Sequence, residues 1–115
     1  MSLDVRTVVA TKAKLFRGLG DTSRLAVLEE LRNGPKSVSE IVAKTGLSQP
    51  NVSGHLSFLR DCGLVEREQR GRFAYYSVGR TNVEAILGAA EALLSQVSTL
   101  GEVCGESADS TKANL

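Results

Sequence analysis

The sequence of 115 residues is poor in the residue types that several classes of protein require. It has no Trp, two Pro, one His and two Cys, and only 4% of its residues are aromatic. Two cysteines are too few for a disulfide framework, and a single His with no Gly-rich phosphate loop leaves little for catalysis to use. No apolar run approaches the ~18 residues that span a bilayer, and the first residues lack the pattern of a secretion signal. We therefore expect a cytoplasmic, non-enzymatic protein of one small domain.

Charge is distributed unevenly along the chain, although the net value is only +1. Residues 1–80 contain 13 of the 14 Lys and Arg but 8 of the 13 Asp and Glu, which gives them a net charge of +5. Residues 81–115 carry a net charge of −4. A basic body with an acidic end suits a modest nucleic-acid binder, but a small domain also reaches such asymmetry by chance.

Apolar residues recur at helical spacing four times in the first half of the chain. They predict helices at about 3–19, 22–32, 37–44 and 49–62. Asp21 and Ser48 are suited to cap helices, and Ser37 with Glu40 forms a capping box. On the fourth helix we expect one buried face, made of Val52, Leu56 and Leu59.

The hydrophobic period changes from 3.6 to 2 after Gly63. It predicts strands at 64–68 and 73–78 around a turn at 69–72, then a long helix whose apolar stripe reaches Leu100. The predicted fold is mainly α with a β-hairpin wing. We expect residues 1–104 to form the folded domain and residues 105–115 a flexible tail.

Two short helices joined by a Gly-containing turn describe a helix-turn-helix, whose second helix enters the major groove of DNA. The polar residues of 49–62, together with two arginines at the hairpin tip, are of the types that bind base edges and phosphates. Gly54 leaves room for close approach of DNA, and the only His is assigned to this face rather than to a metal. The expected DNA contacts are Ser48, Gln49, Asn51, Ser53, Gly54, His55, Ser57, Arg60, Arg70 and Arg72. The alternatives are a helical domain with a solvated polar face and a winged helix that binds only other proteins.

The first and last helices carry more apolar surface than one small core needs. Pairing them across a two-fold axis would bury the excess and place two recognition helices about one DNA turn, ~34 Å, apart. We expect a homodimer on double-stranded operator DNA, with burial inside a monomer as the alternative.

Five segments between residues 10 and 100 occur in an order and spacing typical of one known family. They are 21–25 (DTSRL), 47–56 (LSQPNVSGHL), 59–65 (LRDCGLV), 71–72 (GR) and 76–78 (YSV). On these segments the chain resembles the ArsR–SmtB metalloregulatory repressors. The resemblance implies a winged-helix homodimer that represses its own operon until an inducer binds. Thr22 stands where the family often has Pro, which is compatible with a helix start.

Two of the family's inducer sites lack their ligands in this chain. The third-helix site needs Cys-x-Cys, where residues 39–43 read SEIVA, and the last-helix zinc or nickel site needs Asp and His, where this helix has no His. A cadmium/lead-sensing branch, which the chain also resembles, has ligands at the positions of Cys62 and Cys104. Its third thiolate lies one helical turn earlier, where this chain has Phe58.

Cys62 and Cys104 are therefore the expected metal ligands. Two thiolates favour a soft ion: mercury(II) accepts two, lead(II) and arsenite usually bind three, and cadmium needs further donors. We expect a repressor that leaves its operator when one of these thiophilic ions binds. Reversible oxidation or reactive sulfur acting on the same thiols is the rival hypothesis. A free Cys can also be a small buried hydrophobe without any sensing role.

Overall fold

The computed structural model describes residues 4–79 and 81–97. In chain order they form α1 (Val5–Leu19), α2 (Thr22–Leu31), β1 (Lys36–Ser37), α3 (Val38–Thr45), α4 (Gln49–Asp61), β2 (Glu66–Arg70), β3 (Phe73–Ser77) and α5 (Thr81–Ser95). The chain separates into two compact units, Met1–Arg80 with α1 to β3 and Thr81–Leu115 with α5. None of the described helices is long and apolar enough to cross a membrane.

The starts of α2, α3 and α4 are fixed by the caps predicted from the sequence. The carboxylate of Asp21 accepts a hydrogen bond from the third backbone N–H of α2 at 3.0 Å. The backbone N–H of Glu40 donates to the Ser37 hydroxyl at 3.3 Å, and the Glu40 carboxylate accepts from the Ser37 N–H at 2.8 Å, which completes the capping box. The Ser48 hydroxyl accepts from the N–H of Asn51 at 3.2 Å. The predicted boundaries of the first four helices are accordingly confirmed to within two residues.

The sheet has three antiparallel strands in the order β1-β3-β2. The predicted hairpin is confirmed, but its first strand begins at Glu66 rather than at Leu64. Leu64 and Val65 are buried instead of lying in the sheet. The turn shortens to Gly71-Arg72, and Gly71 takes a φ of 62°, which suits a residue without Cβ.

Sequence periodicity did not predict β1, because two residues are too few to show a period. Lys36 pairs with Tyr76 and Ser37 with Tyr75. This pairing attaches the hairpin directly to the residue that caps α3. The helix-turn-helix and the wing are thereby joined by backbone hydrogen bonds.

The core of the first unit lies among α2, α3 and α4. The side chains that are at most 1% exposed there are Val27, Leu28, Leu31, Ile41, Val52, Leu56 and Leu59. Burial of each contributes about 1.5–3 kcal/mol relative to exposure. The predicted buried face of α4 is confirmed, and the core fixes which face of that helix remains in contact with solvent.

Two helices expose large apolar side chains. On α1 they are Val5, Val9 and Phe16, at 78%, 57% and 61% exposure. On α5, Leu93 and Leu94 are 63% and 44% exposed, whereas Val83 and Leu87 are buried. Leu100, where the predicted apolar stripe of the last helix ends, and the predicted tail 105–115 lie outside the described residues.

Candidate nucleic-acid interface

The polar face of α4 is open to solvent. Its exposed members are Gln49, Asn51, Ser53, Gly54, Ser57 and Arg60. They lie away from the buried stripe of the same helix. Apart from Gly54 each has a polar side chain, and across 4–79 and 81–97 no hydrogen bond or ion pair engages any of these five side chains. Their hydrogen-bonding groups are therefore available to a ligand.

Ser48 differs from its neighbours because its hydroxyl oxygen already caps α4. A hydroxyl that accepts one hydrogen bond still has its own proton to donate. Ser48 can therefore hold the helix start and donate to a phosphate from the same position.

His55 is half-buried, unlike the rest of the polar face. An electrostatic interaction links it to Asp21, the N-cap residue of α2. The backbone N–H of Arg24 is the main cause that lowers the pKa of the Asp21 carboxyl, and the charges of His55 and Arg24 lower it further. His55 is therefore less accessible than the other predicted contacts of α4, and a DNA contact remains a prediction for it.

The wing presents two arginines in different states. The Nε and Nη2 atoms of Arg70 donate to Oε1 of Glu68 at 3.2 and 3.0 Å, and its guanidinium carbon lies 5.1 Å from the centre of the Tyr75 ring. Arg72 lies in the turn and is exposed. It forms no ion pair within the described part of the chain. The residue pattern alone predicts the same role for both arginines, whereas the structure engages Arg70 internally and leaves Arg72 available.

Gln49 at the start of α4 and Arg72 at the wing tip line one open groove of about 350 Å³. The other lining residues are Ser37, Val38, Ser39, Val42, Phe73 and Ala74. Sequence reasoning missed Ser39 and Phe73, because only the pairing of β1 with β3 brings the hairpin beside α3. The exposed Phe73 ring is one of the apolar groups that line this groove beside the polar ones.

Cys62 is the C-cap residue of α4, and its N–H donates to the carbonyl of Phe58 at 3.0 Å. The residue is exposed, so the interpretation of Cys62 as a small buried hydrophobe is wrong. Within the described residues no three His, Cys, Asp or Glu lie close enough to hold a metal ion. Cys104 lies outside those residues.

Phe58 occupies the position one turn before Cys62. The guanidinium carbon of Arg24 lies 3.9 Å from the centre of its ring. A Cβ built on Gly18 of α1 would come within 2.6 Å of two ring atoms. The place of a third thiolate is therefore filled by a ring that is packed against both α1 and α2.

Comparison with known proteins decides the family. Residues 21–67 match the model of the bacterial regulatory protein, arsR family. The chain is 37% identical over 94 residues to the probable mercury resistance operon repressor of Streptomyces lividans, covering 82% of this chain and 75% of that protein. This chain belongs to the arsR family. The resemblance found in the sequence is confirmed.

Two further comparisons agree. The chain is 35% identical over 101 residues to the HTH-type transcriptional regulator CmtR of Mycobacterium bovis, covering 88% of this chain and 86% of that protein. The solution structure of apo-NmtR superposes with a TM-score of 0.71 at 34% identity, covering 85% of this chain and 82% of that one. The protein is thus a DNA-binding regulator with the winged helix-turn-helix fold of the arsR family.

Proposed function

We propose that this arsR-family protein is a homodimeric repressor that leaves its operator when a thiophilic metal ion binds Cys62 and Cys104. The observation that best supports DNA binding is the shared groove of Gln49 and Arg72. A Gln at the start of a recognition helix can read adenine edges, and a wing Arg can bind the backbone beside it. The two kinds of contact are thus supplied by one continuous surface.

Dimerisation is supported by the apolar side chains exposed on α1 and on α5. Such surface is costly to leave in water, and an isologous contact with a second copy removes it. A two-fold pair also presents two recognition helices, so we expect an inverted-repeat operator.

Metal sensing is supported by the exposure and position of Cys62. Its thiol is accessible at the last turn of α4, and the packed Phe58 ring restricts the donor set to two thiolates with neighbouring oxygens. Thiolates select soft ions, and the similar protein of Streptomyces lividans is named as a mercury resistance repressor. The residues therefore fit mercury(II) better than a three-thiolate ion.

A bound ion would bond to the sulfur atoms of both Cys62 and Cys104 and thereby link the two residues. Cys62 ends the recognition helix, so a restraint on its sulfur acts on the orientation of α4 and on its spacing from the second copy. A 100-fold change in operator affinity needs only about 3 kcal/mol of differential binding.

The test is fluorescence anisotropy of the reduced protein on its promoter DNA, titrated separately with mercury, cadmium, lead and arsenite. We expect release by mercury in the wild type and no release in Cys62→Ser or Cys104→Ser. Lys12→Ala is the control, because it alters an exposed side chain of α1 that is not a metal donor and keeps both thiols. Size-exclusion chromatography with light scattering measures the expected dimer.

The other outcomes are equally informative. Operator binding that no ion disturbs, but that peroxide or a persulfide abolishes through the same two cysteines, would replace the metal by a redox signal. Exposure of Cys62 is compatible with either reagent. Absence of sequence-preferring, salt-dependent DNA binding would contradict the repressor and favour a protein-interaction module.

A further inference from the structure

A basic surface separate from the groove of Gln49 and Arg72 lies between α1, α2 and α4. It is an open cleft of about 310 Å³ lined by Lys14, Arg17, Gly18, Arg24 and Phe58. It shares no lining residue with the groove of Gln49 and Arg72. Three of its five lining residues are cationic, and no candidate DNA contact predicted from the sequence belongs to it.

The positive charge of this cleft is incompletely neutralised. Lys14 and Arg17 are exposed and form no ion pair among residues 4–79 and 81–97. Arg24 donates from Nη1 to the neutral carbonyl of Gly18 at 3.0 Å, and its buried Nε has no acceptor within the part of the chain that the structure describes. The carboxylate of Asp21 also interacts electrostatically with Arg24.

The cleft is also preorganised. The guanidinium carbon of Arg24 lies 3.9 Å from the centre of the Phe58 ring, and this cation–π contact restricts the rotamers of Arg24. Gly18 is buried and leaves the space that the ring occupies. A guanidinium held in this way loses less conformational entropy when it binds an anion than a free side chain does.

We propose that this cleft binds a phosphate-type oxyanion, and that its occupant is a backbone phosphate of the DNA that α4 reads. The assignment of this phosphate to DNA rests on the proposed function. Phe58 follows His55 by three residues and therefore lies one turn further along the same side of α4. Half to two-thirds of protein–DNA hydrogen bonds go to phosphate and sugar, and Arg and Lys are among the groups that donate them.

The first experiment measures DNA affinity as a function of salt for the Lys14→Ala/Arg17→Ala double variant. Both side chains are exposed, so the fold is expected to survive, which circular dichroism checks. Lys12→Ala is the matched control, because Lys12 is an exposed cation of α1 outside the cleft. We expect affinity for operator and for random DNA to fall by the same factor, with a salt slope shallower by about 1–2 than in Lys12→Ala. Equal salt slopes and equal DNA affinities in the two variants would overturn the proposal that the cleft binds a DNA phosphate.

The second experiment titrates inorganic phosphate into the protein alone and follows the amide signals of Gly18 and the Nε–H of Arg24 by NMR. We expect shifts in the wild type that Lys14→Ala/Arg17→Ala weakens at least several-fold and Arg24→Lys also weakens, because lysine keeps the charge but not the planar stack. Phosphate binding without any effect of the double variant on DNA would identify a free anion as the occupant. If phosphate does not bind and the double variant does not change DNA binding, the proposal that the cleft binds an oxyanion is overturned. Since this titration needs no DNA, it remains decisive if the repressor proposal fails.

Discussion

Gly18 of α1 and the ring of Phe58 on α4 fit together only because Gly18 has no side chain. A Cβ there would lie 2.6 Å from Cε2 and Cζ of the ring, closer than real contacts allow. The ring is covered by the Arg24 guanidinium and has limited freedom to move aside. One glycine therefore sets the approach of α1 to the recognition helix.

Gly18→Ala is expected to destabilise the protein by about 1–2 kcal/mol, since the overpacking cost exceeds the helix propensity that Ala gains. Urea unfolding followed by circular dichroism measures the difference. Gly54→Ala is the control on α4, because a Cβ added there would meet no atom within 4 Å and only the propensity gain remains. Equal stabilities for the two variants would contradict the tight packing at Gly18.

Gly54→Ala should also separate stability from function. The substitution is expected to raise the free energy of unfolding by up to about 1 kcal/mol. It adds a methyl group to the exposed face of α4, where close approach of DNA is predicted, so operator affinity should fall. Anisotropy on operator DNA measures the second effect, and an unchanged affinity would place Gly54 outside the interface.

The two wing arginines should behave differently. Arg72→Ala is expected to weaken binding to all DNA sequences and to reduce the salt slope by about 1, since its charge has no ion-pair partner among the described residues. Arg70→Ala should weaken binding less, because that guanidinium already binds Glu68. Salt-dependent anisotropy on operator and random DNA compares them, and a larger loss in Arg70→Ala would reverse the assignment.

The capping box at Ser37 offers a stability test near the groove. Ser37→Ala removes the hydroxyl that accepts from Glu40 and should cost about 0.5–2 kcal/mol. Ser57→Ala, at an exposed position of α4 whose hydroxyl has no hydrogen bond within the described part of the chain, should change stability by no more than about 0.5 kcal/mol. Denaturant midpoints compare the two, and similar losses would show that the cap contributes little.

Asp21 should give stability a dependence on acidic pH. Its hydrogen bond from the Arg24 N–H lowers the pKa of the carboxyl below its usual value of 3.8, so the folded state favours the charged form. That contribution is present above the ordinary pKa and is lost as the pH falls through the lower folded value. Asp21→Asn keeps a good cap without the charge. We expect it to be less stable than the wild type at pH 7 and equally stable well below pH 3.8; a constant difference would refute the linkage.

The sequence by itself determined the five helices and the existence of the β2–β3 hairpin, because their signals are local. The caps at Asp21, Ser37 and Ser48 act on N–H groups three residues away, and the buried face of α4 follows from helical spacing. The five segments that carry the resemblance to the family can likewise be recognised in the sequence alone. None of these inferences requires knowledge of which elements meet in space.

Only the tertiary structure decided how the surface is organised. The pairing of β1 with β3 brings Arg72 to the groove of Gln49, and packing places Phe58 against both Gly18 and Arg24. These contacts join residues far apart in sequence, and neither period nor spacing records them. The physical reason is that capping and helical periodicity are fixed within a few residues, whereas a groove or a cleft exists only after separate elements bury a common core.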